Sequence, residues 1–188
     1  MADRLGSWTV GELLEATSSS QPTPGGGSAS CLAGALGAGL LAMALRISQK
    51  KAARDLARPT EAALQLQASL LACADRDRQA FSAYLAASKL PGPERGPALR
   101  AAALGAAQVP LQAARQMTLA LWVARQSAGL IHPAVSSDAE GAKYLLAGAG
   151  RAVLCNVEIN LGPLDQQIAA QLRSEQQRLG DLIERLGR

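Results

Sequence analysis

The 188 residues suffice for one domain with a substantial core, and the 48% hydrophobic content includes only 3% aromatics. Small helix-forming side chains dominate while the β-branched and aromatic residues that strands favour are scarce, which predicts an all-α fold. A formal net charge of +4 without runs of like charge, and few rings to stack on bases, exclude a nucleic-acid module but leave a mild field suited to a small anionic molecule.

The first helical signal covers residues 8–16, with Thr9 as a cap and Val10, Leu13 and Leu14 along one side. The loop SSSQPTPGGG follows. Ser28 is placed to cap a long helix reaching about residue 57, where Pro59 is expected to end it. Within that helix Ser30, Gly34, Ala38 and Ala42 recur every four residues beside Ala33 and Gly37, a seam of small side chains that lets helix backbones approach closely. Thr60 opens the next helix, to about residue 88, before the break KLPGPERG. A helix over 94–108 meets Pro110, which either starts a new helix or kinks a continuous one to about 128. After GLIHPAVSSD, Ser137 or Asp138 is positioned to cap a helix to about 157, and a break at 160–163 precedes an amphipathic tail. The expectation is one compact bundle of six or seven helices over residues 1–188, with a glycine-rich loop before a long Ala/Gly-rich helix.

Residues 28–45 carry no charge, which is long enough to raise the question of a membrane span. Two serines, three glycines and the lack of a second span favour a buried helix in a soluble bundle, and the first 27 residues lack a secretory signal. The protein is therefore expected to be cytoplasmic, with no membrane association. Cys31, Cys73 and Cys155 are odd in number and widely spaced, so they read as small buried hydrophobes rather than disulfides.

Several site types are excluded. His132 is the sole histidine and has no nearby Cys or His, so no metal site is expected, and no nucleophile-elbow pattern supports a triad. GGGSAS lacks the lysine of a P-loop and follows a loop, which also excludes a dinucleotide fingerprint. Asp77 stands out because Leu66, Leu70, Cys73, Asp77, Ala80, Phe81 and Tyr84 share one helix face. A carboxylate within an apolar stripe is either paired, for instance with Arg46 or Arg115, or functional. Asn156 and Asn160 share a face and suit either the edge of a heterocycle or the satisfaction of a helix end. Asp138 is a helix cap or a site residue, and Lys50 and Lys51 are a solvated face. Successive glycine N–H groups before a helix N-terminus form a partly positive concavity for a carboxylate or an electron-rich oxygen, or else a tight turn for deep packing.

The segments PTPGGGSASCLAGALGAGLLAMAL, DRQAFSAYLAASKLP, VPLQAA and SSDAEGAKYLLAGAGRAVLCNVEINL resemble, in that order, the cyclodeaminase/cyclohydrolase family of folate enzymes. That family includes the C-terminal domain of formiminotransferase-cyclodeaminase and stand-alone methenyltetrahydrofolate cyclohydrolases. The resemblance implies an all-helical homodimer or larger assembly, a folate substrate in free or polyglutamylated form, and no cofactor beyond tetrahydrofolate. It implies Asp77 as the catalytic residue, in a D-x-x-A-F pattern with Ala80 and Phe81. It places substrate contacts at Pro24, Gly25, Gly26, Gly27, Ser28, Phe81, Asp138, Asn156 and Asn160, with Gly25, Gly26 and Gly27 expected to touch folate or a neighbouring subunit through their N–H groups. The sequence departs from the family in carrying His132-Pro133-Ala134 where relatives often have asparagines. The start at Met1 without a formiminotransferase half leads one to expect hydrolysis of 5,10-methenyltetrahydrofolate. The alternatives are formiminotetrahydrofolate cyclodeamination and a non-catalytic folate-binding or scaffold protein.

Overall fold

A computed structural model describes residues 4–188, in which six α-helices account for the architecture and no strand occurs. Helix α1 (Val10–Ser18) is held by a reciprocal capping box between Thr9 and Glu12, yet it buries none of its own residues. Helix α2 (Gly26–Ala52) starts from Gly25, not from Ser28, which lies in its first turn. It ends at Ala53, which adopts a left-handed conformation (φ 49°), before Pro59 is reached.

Pro59 instead lies in the first turn of α3 (Ala57–Ser88), where a helix needs no N–H donor. Thr60, expected to open that helix, is buried one turn inside it. Helix α4 (Arg95–Ser127) runs unbroken through the buried Pro110. Helix α5 (Ser136–Glu158) has Val135 at its N-cap without a side-chain cap, so neither Ser137 nor Asp138 caps it. Asp138 lies in the first turn, where a negative charge opposes the positive end of the helix dipole. Helix α6 (Gln166–Gly187) closes the chain.

Helices α2, α3, α4 and α5 pack in a ring, each against the next and α5 back against α2, while α6 covers the groove between α4 and α5. Short connections make ring neighbours antiparallel. Gly27 faces Asp77 while Gly39 faces Gln67, and Gly26 faces Asn156 while Gly37 faces Leu146. The small-residue seam on α2 is why the ring closes tightly: Gly34 abuts Met117 across the bundle, and Gly37 abuts Leu146 and the Ala142 carbonyl. The core centres on Leu41, Leu45, Leu70, Leu111, Met117, Leu121 and Leu146, all fully buried. Cys31 and Cys73 lie within it as reduced thiols, whereas Cys155 is exposed because it sits on the outer face of α5.

By length and composition α2 alone among the described helices qualifies as a membrane span, and 61% of its apolar window is buried inside the bundle. It serves as the core helix of the ring.

Candidate active site

Where α2 begins and α5 ends, a cleft of about 270 Å³ opens between Pro22, Thr23, Gly25, Gly26 and Gly27 on one side and Asn156, Ile159 and Asn160 on the other. Asp77, Phe81 and Tyr84 from α3, with Ala106 from α4, supply the rest of its lining. All four ring helices thus contribute to it.

Asp77 is held at the foot of α2. Ser28, fully buried, has its Oγ 2.8 Å from Asp77 Oδ2 and 3.0 Å from the Ala74 carbonyl, so one hydroxyl proton serves both acceptors. The Ser28 backbone N–H, unpaired within its own helix turn, also favours the charged carboxylate. Burial pushes the Asp77 carboxyl up from its ordinary value, and the Ser28 hydroxyl and backbone N–H oppose that rise. Among the described residues no cation pairs with Asp77; Arg115 instead forms a bidentate pair with Glu175. The ion-pair explanation of Asp77 therefore has no support here, and the carboxylate's open oxygen faces the cleft.

Gly27 makes this arrangement possible. A Cβ at that position would lie 2.2 Å from Asp77 Oδ1 and 2.6 Å from its Cγ, so no other residue fits while the carboxylate stays where it is. Gly26 is looser: a Cβ there would meet Asn156 Oδ1 at 3.7 Å, an ordinary contact. The two glycines differ in function although the sequence presents them alike.

The asparagine amides spend their donors on backbone. Asn156 Nδ2 donates to the carbonyls of Ala152 and Val153, both at 3.3 Å, and Asn160 Nδ2 donates to the Asn156 carbonyl at 2.7 Å and to Ala106 at 3.4 Å. The last bond has a cause one helix away. Pro110 has no N–H to offer the residue four positions earlier, so the Ala106 carbonyl lacks its helical partner and Asn160 supplies one. With the NH2 groups so committed, Asn156 and Asn160 present their Oδ1 atoms as acceptors, and no donor among the described residues reaches either one.

The remaining sequence-predicted residues fall differently. Pro24 is buried behind the loop and Ser28 beneath Asp77, so both support the cleft rather than line it. Asp138 is eighteen residues before Asn156 on α5, about 27 Å of helix rise away at the opposite end of the bundle, and the cleft of the same chain does not include it. His132 also lies at that far end, where its N–H donates to Ser48 Oγ at 2.8 Å and its ring nitrogen accepts from Ala134. Tyr84 and Ile159 line the cleft in addition to the residues singled out from sequence. Tyr84 continues the Asp77 stripe at i+7, whereas Ile159, lying between two asparagines, gives no sequence signal of its own. No group of acidic, His and Cys side chains among the described residues is arranged to hold a metal.

Chemically, the cleft offers one carboxylate free to exchange a proton, two amide oxygens, first-turn N–H groups of α2 and two aromatic rings. Comparison with known proteins gives this arrangement a setting. Residues 9–178 match the family model described as formiminotransferase-cyclodeaminase. A methenyltetrahydrofolate cyclohydrolase of Methylorubrum extorquens is 34% identical over 180 residues, covering 89% of this chain and 86% of that protein. The crystal structure of a formiminotetrahydrofolate cyclodeaminase from Thermotoga maritima superposes with a TM-score of 0.87 at 24% identity, covering 98% of this chain and 94% of that one, and shares the fold. By the extent of these matches, the chain belongs to the formiminotransferase-cyclodeaminase family.

Proposed function

We propose that this protein is a folate one-carbon enzyme that hydrolyses 5,10-methenyltetrahydrofolate to 10-formyltetrahydrofolate, with Asp77 as general acid and base. The observation that carries the reading is the Asp77 carboxylate, raised by burial, unpaired with any cation among the described residues and open on one side to the cleft. The similar cyclohydrolase supports this choice of reaction. The bridging carbon of the substrate belongs to a cationic amidinium and is electrophilic without a metal. Asp77 takes a proton from the attacking water as the C–O bond forms, giving a neutral carbinolamine. It then returns that proton to N5 as the C–N5 bond breaks, while the carbinol O–H is lost to solvent as the formyl C=O forms. The net release of one proton balances the positive charge of the substrate.

Residues 1–188 act on this reading as one cytoplasmic helical domain. The polar wall of the cleft takes the pterin: its N–H edges meet the Asn156 and Asn160 oxygens, and its carbonyl meets the N–H groups of Gly26 and Gly27. No cofactor beyond the tetrahydrofolate substrate takes part. The exposed apolar side chains Leu36, Met43, Tyr144 and Leu145 on the outer faces of α2 and α5 support a homodimer or larger assembly, which light scattering would measure.

Cyclodeamination is the second reading, supported by the family match. N10 of 5-formiminotetrahydrofolate would attack the formimino carbon, and Asp77 would pass a proton to the departing nitrogen. Two assays separate the readings: loss of the methenyl chromophore above its spontaneous rate, and ammonia release from 5-formiminotetrahydrofolate. Asp77→Asn should lower whichever rate is present by about 10²–10⁴-fold, the range of a positioned acid/base. No turnover of either substrate would leave a non-catalytic folate-binding protein.

A further inference from the structure

The cleft has a second lining that the proposed chemistry does not use. From Asp77, α3 carries Phe81 one turn further on and Tyr84 about 10 Å along the helix axis. Phe81 is the only phenylalanine and Tyr84 one of five aromatic residues in the whole chain, so two of its few rings border one small cleft. Ile159, at the C-terminus of α5, is 73% exposed although it lines the same cleft. The polar groups of the lining lie at Thr23, Gly26, Gly27, Asp77, Asn156 and Asn160. The cleft thus combines a polar wall around the carboxylate with an apolar lip at Tyr84 and Ile159.

We propose that Tyr84 and Ile159 form a clamp that grips the flat aryl group on N10 of the substrate and so select arylated folates. The inference rests on the folate reading above. With the amidinium carbon at Asp77, the two halves of the substrate leave in opposite directions. The pterin, rich in hydrogen-bonding edges, needs the polar wall; the aryl ring bears no such groups along its faces and matches the lip. A ring laid between Tyr84 and Ile159 covers an exposed isoleucine and an aromatic face together, both favourable in water. The clamp therefore acts on binding and leaves the reacting bonds alone.

The test uses the intact protein with Tyr84→Ala, Ile159→Ala, their double variant and Tyr84→Phe. Neither side chain is in the core, so truncation opens no internal cavity. The double variant should raise KM for 5,10-methenyltetrahydrofolate by about tenfold with kcat nearly unchanged, the signature of lost uniform binding. Tyr84→Phe should keep the wild-type KM, because the ring face and not the hydroxyl makes the contact. A second probe replaces the N10 aryl group with methyl. The wild type should disfavour it strongly in kcat/KM, and the double variant should lose most of that discrimination. An active wild type whose KM is unmoved in the double variant, or a variant that loses kcat at constant KM, overturns the clamp alone. A wild type that turns over neither folate overturns the functional reading and the clamp with it.

Discussion

Replacing Gly27 by alanine adds one methyl group in the place the structure can least accept it. The new Cβ would stand 2.2 Å from Asp77 Oδ1, and real Cβ contacts essentially never fall under 3.0 Å, so the carboxylate must retreat by about 0.8 Å. The helix cannot yield instead, because Ala74 and Ser28 are buried on either side. Moving the carboxylate draws Oδ2 away from Ser28 Oγ, and a hydrogen bond to a charged group is worth about 1.5–3 kcal/mol. Alanine returns about 0.5–1 kcal/mol through its lower backbone entropy cost within a helix. Net stability should therefore fall by about 0.5–2.5 kcal/mol, while a displacement approaching 1 Å of the proposed general acid and base should cost about 10²-fold in kcat. Chromophore loss gives kcat and urea titration gives stability. Gly26→Ala is the control, since its added Cβ meets nothing closer than 3.7 Å and should leave kcat within about twofold. A folded Gly27→Ala enzyme with near wild-type kcat, or equal losses at both glycines, would refute the assignment of the tight contact to Gly27.

Three further changes probe the same site. Asp77→Asn should raise the melting temperature of the ligand-free protein at neutral pH: burial raises the folded-state pKa above 3.8, so stability falls as pH rises through that raised value. The gain should close as pH drops towards 3.8 and below, and a gain that persists in acid would contradict a charge-burial origin. Ser28→Ala removes a bond that holds the Asp77 carboxyl down, so its pKa should climb further and the acidic limb of the pH–rate profile should move to higher pH. Asn160→Ala should cost about 1–3 kcal/mol in chemical denaturation by stranding the Ala106 carbonyl, and adding Pro110→Ala should restore part of that loss through a new backbone N–H.

The architecture was legible because composition and small-residue periodicity act locally: an Ala/Gly seam on α2 specifies close helix neighbours whichever helices they prove to be. Asp77 was legible for a related reason, since one charge in an apolar stripe contradicts its own surroundings. The helix boundaries near Ser28 and Pro59 were not. Ser28 has the chemistry of a cap, and only the tertiary approach of α3 shows that its hydroxyl serves Asp77 instead. Proline reads equally as a stop or as a first-turn residue, and the left-handed Ala53 that ends α2 carries no glycine to announce it. The distinction between Gly26 and Gly27 depends on which one faces α3, a matter of helix rotation that no local pattern encodes. The bond from Asn160 to Ala106 joins residues 54 positions apart through a proline four residues beyond the acceptor, and each partner looks unremarkable alone.

On the proposed cyclohydrolase reading, the raised Asp77 carboxyl also bears on why burial suits the chemistry. Left in water, a carboxylate would stay ionised throughout and make a poor donor to N5. Buried at the foot of α2, it resists ionisation when no positive charge is near, and Ser28 keeps that resistance from becoming complete. A cationic amidinium entering the cleft would reverse the balance and favour the ionised base just when water must be deprotonated. Once water has added, the bridge is neutral, the favourable charge has gone, and the same burial drives the proton off Asp77 towards N5. On that reading the electrostatic state of the substrate sets the protonation preference of the residue at each step. Arginine or lysine placed beside Asp77 would hold it ionised throughout and remove that alternation. On this account an added cation at the cleft, for instance Phe81→Lys, should slow breakdown of the carbinolamine more than its formation, detectable as accumulation of a bleached intermediate before 10-formyltetrahydrofolate appears. Loss of the chromophore and appearance of product at equal rates in a variant with reduced kcat would show that the protonation of Asp77 does not follow the charge on the bridge.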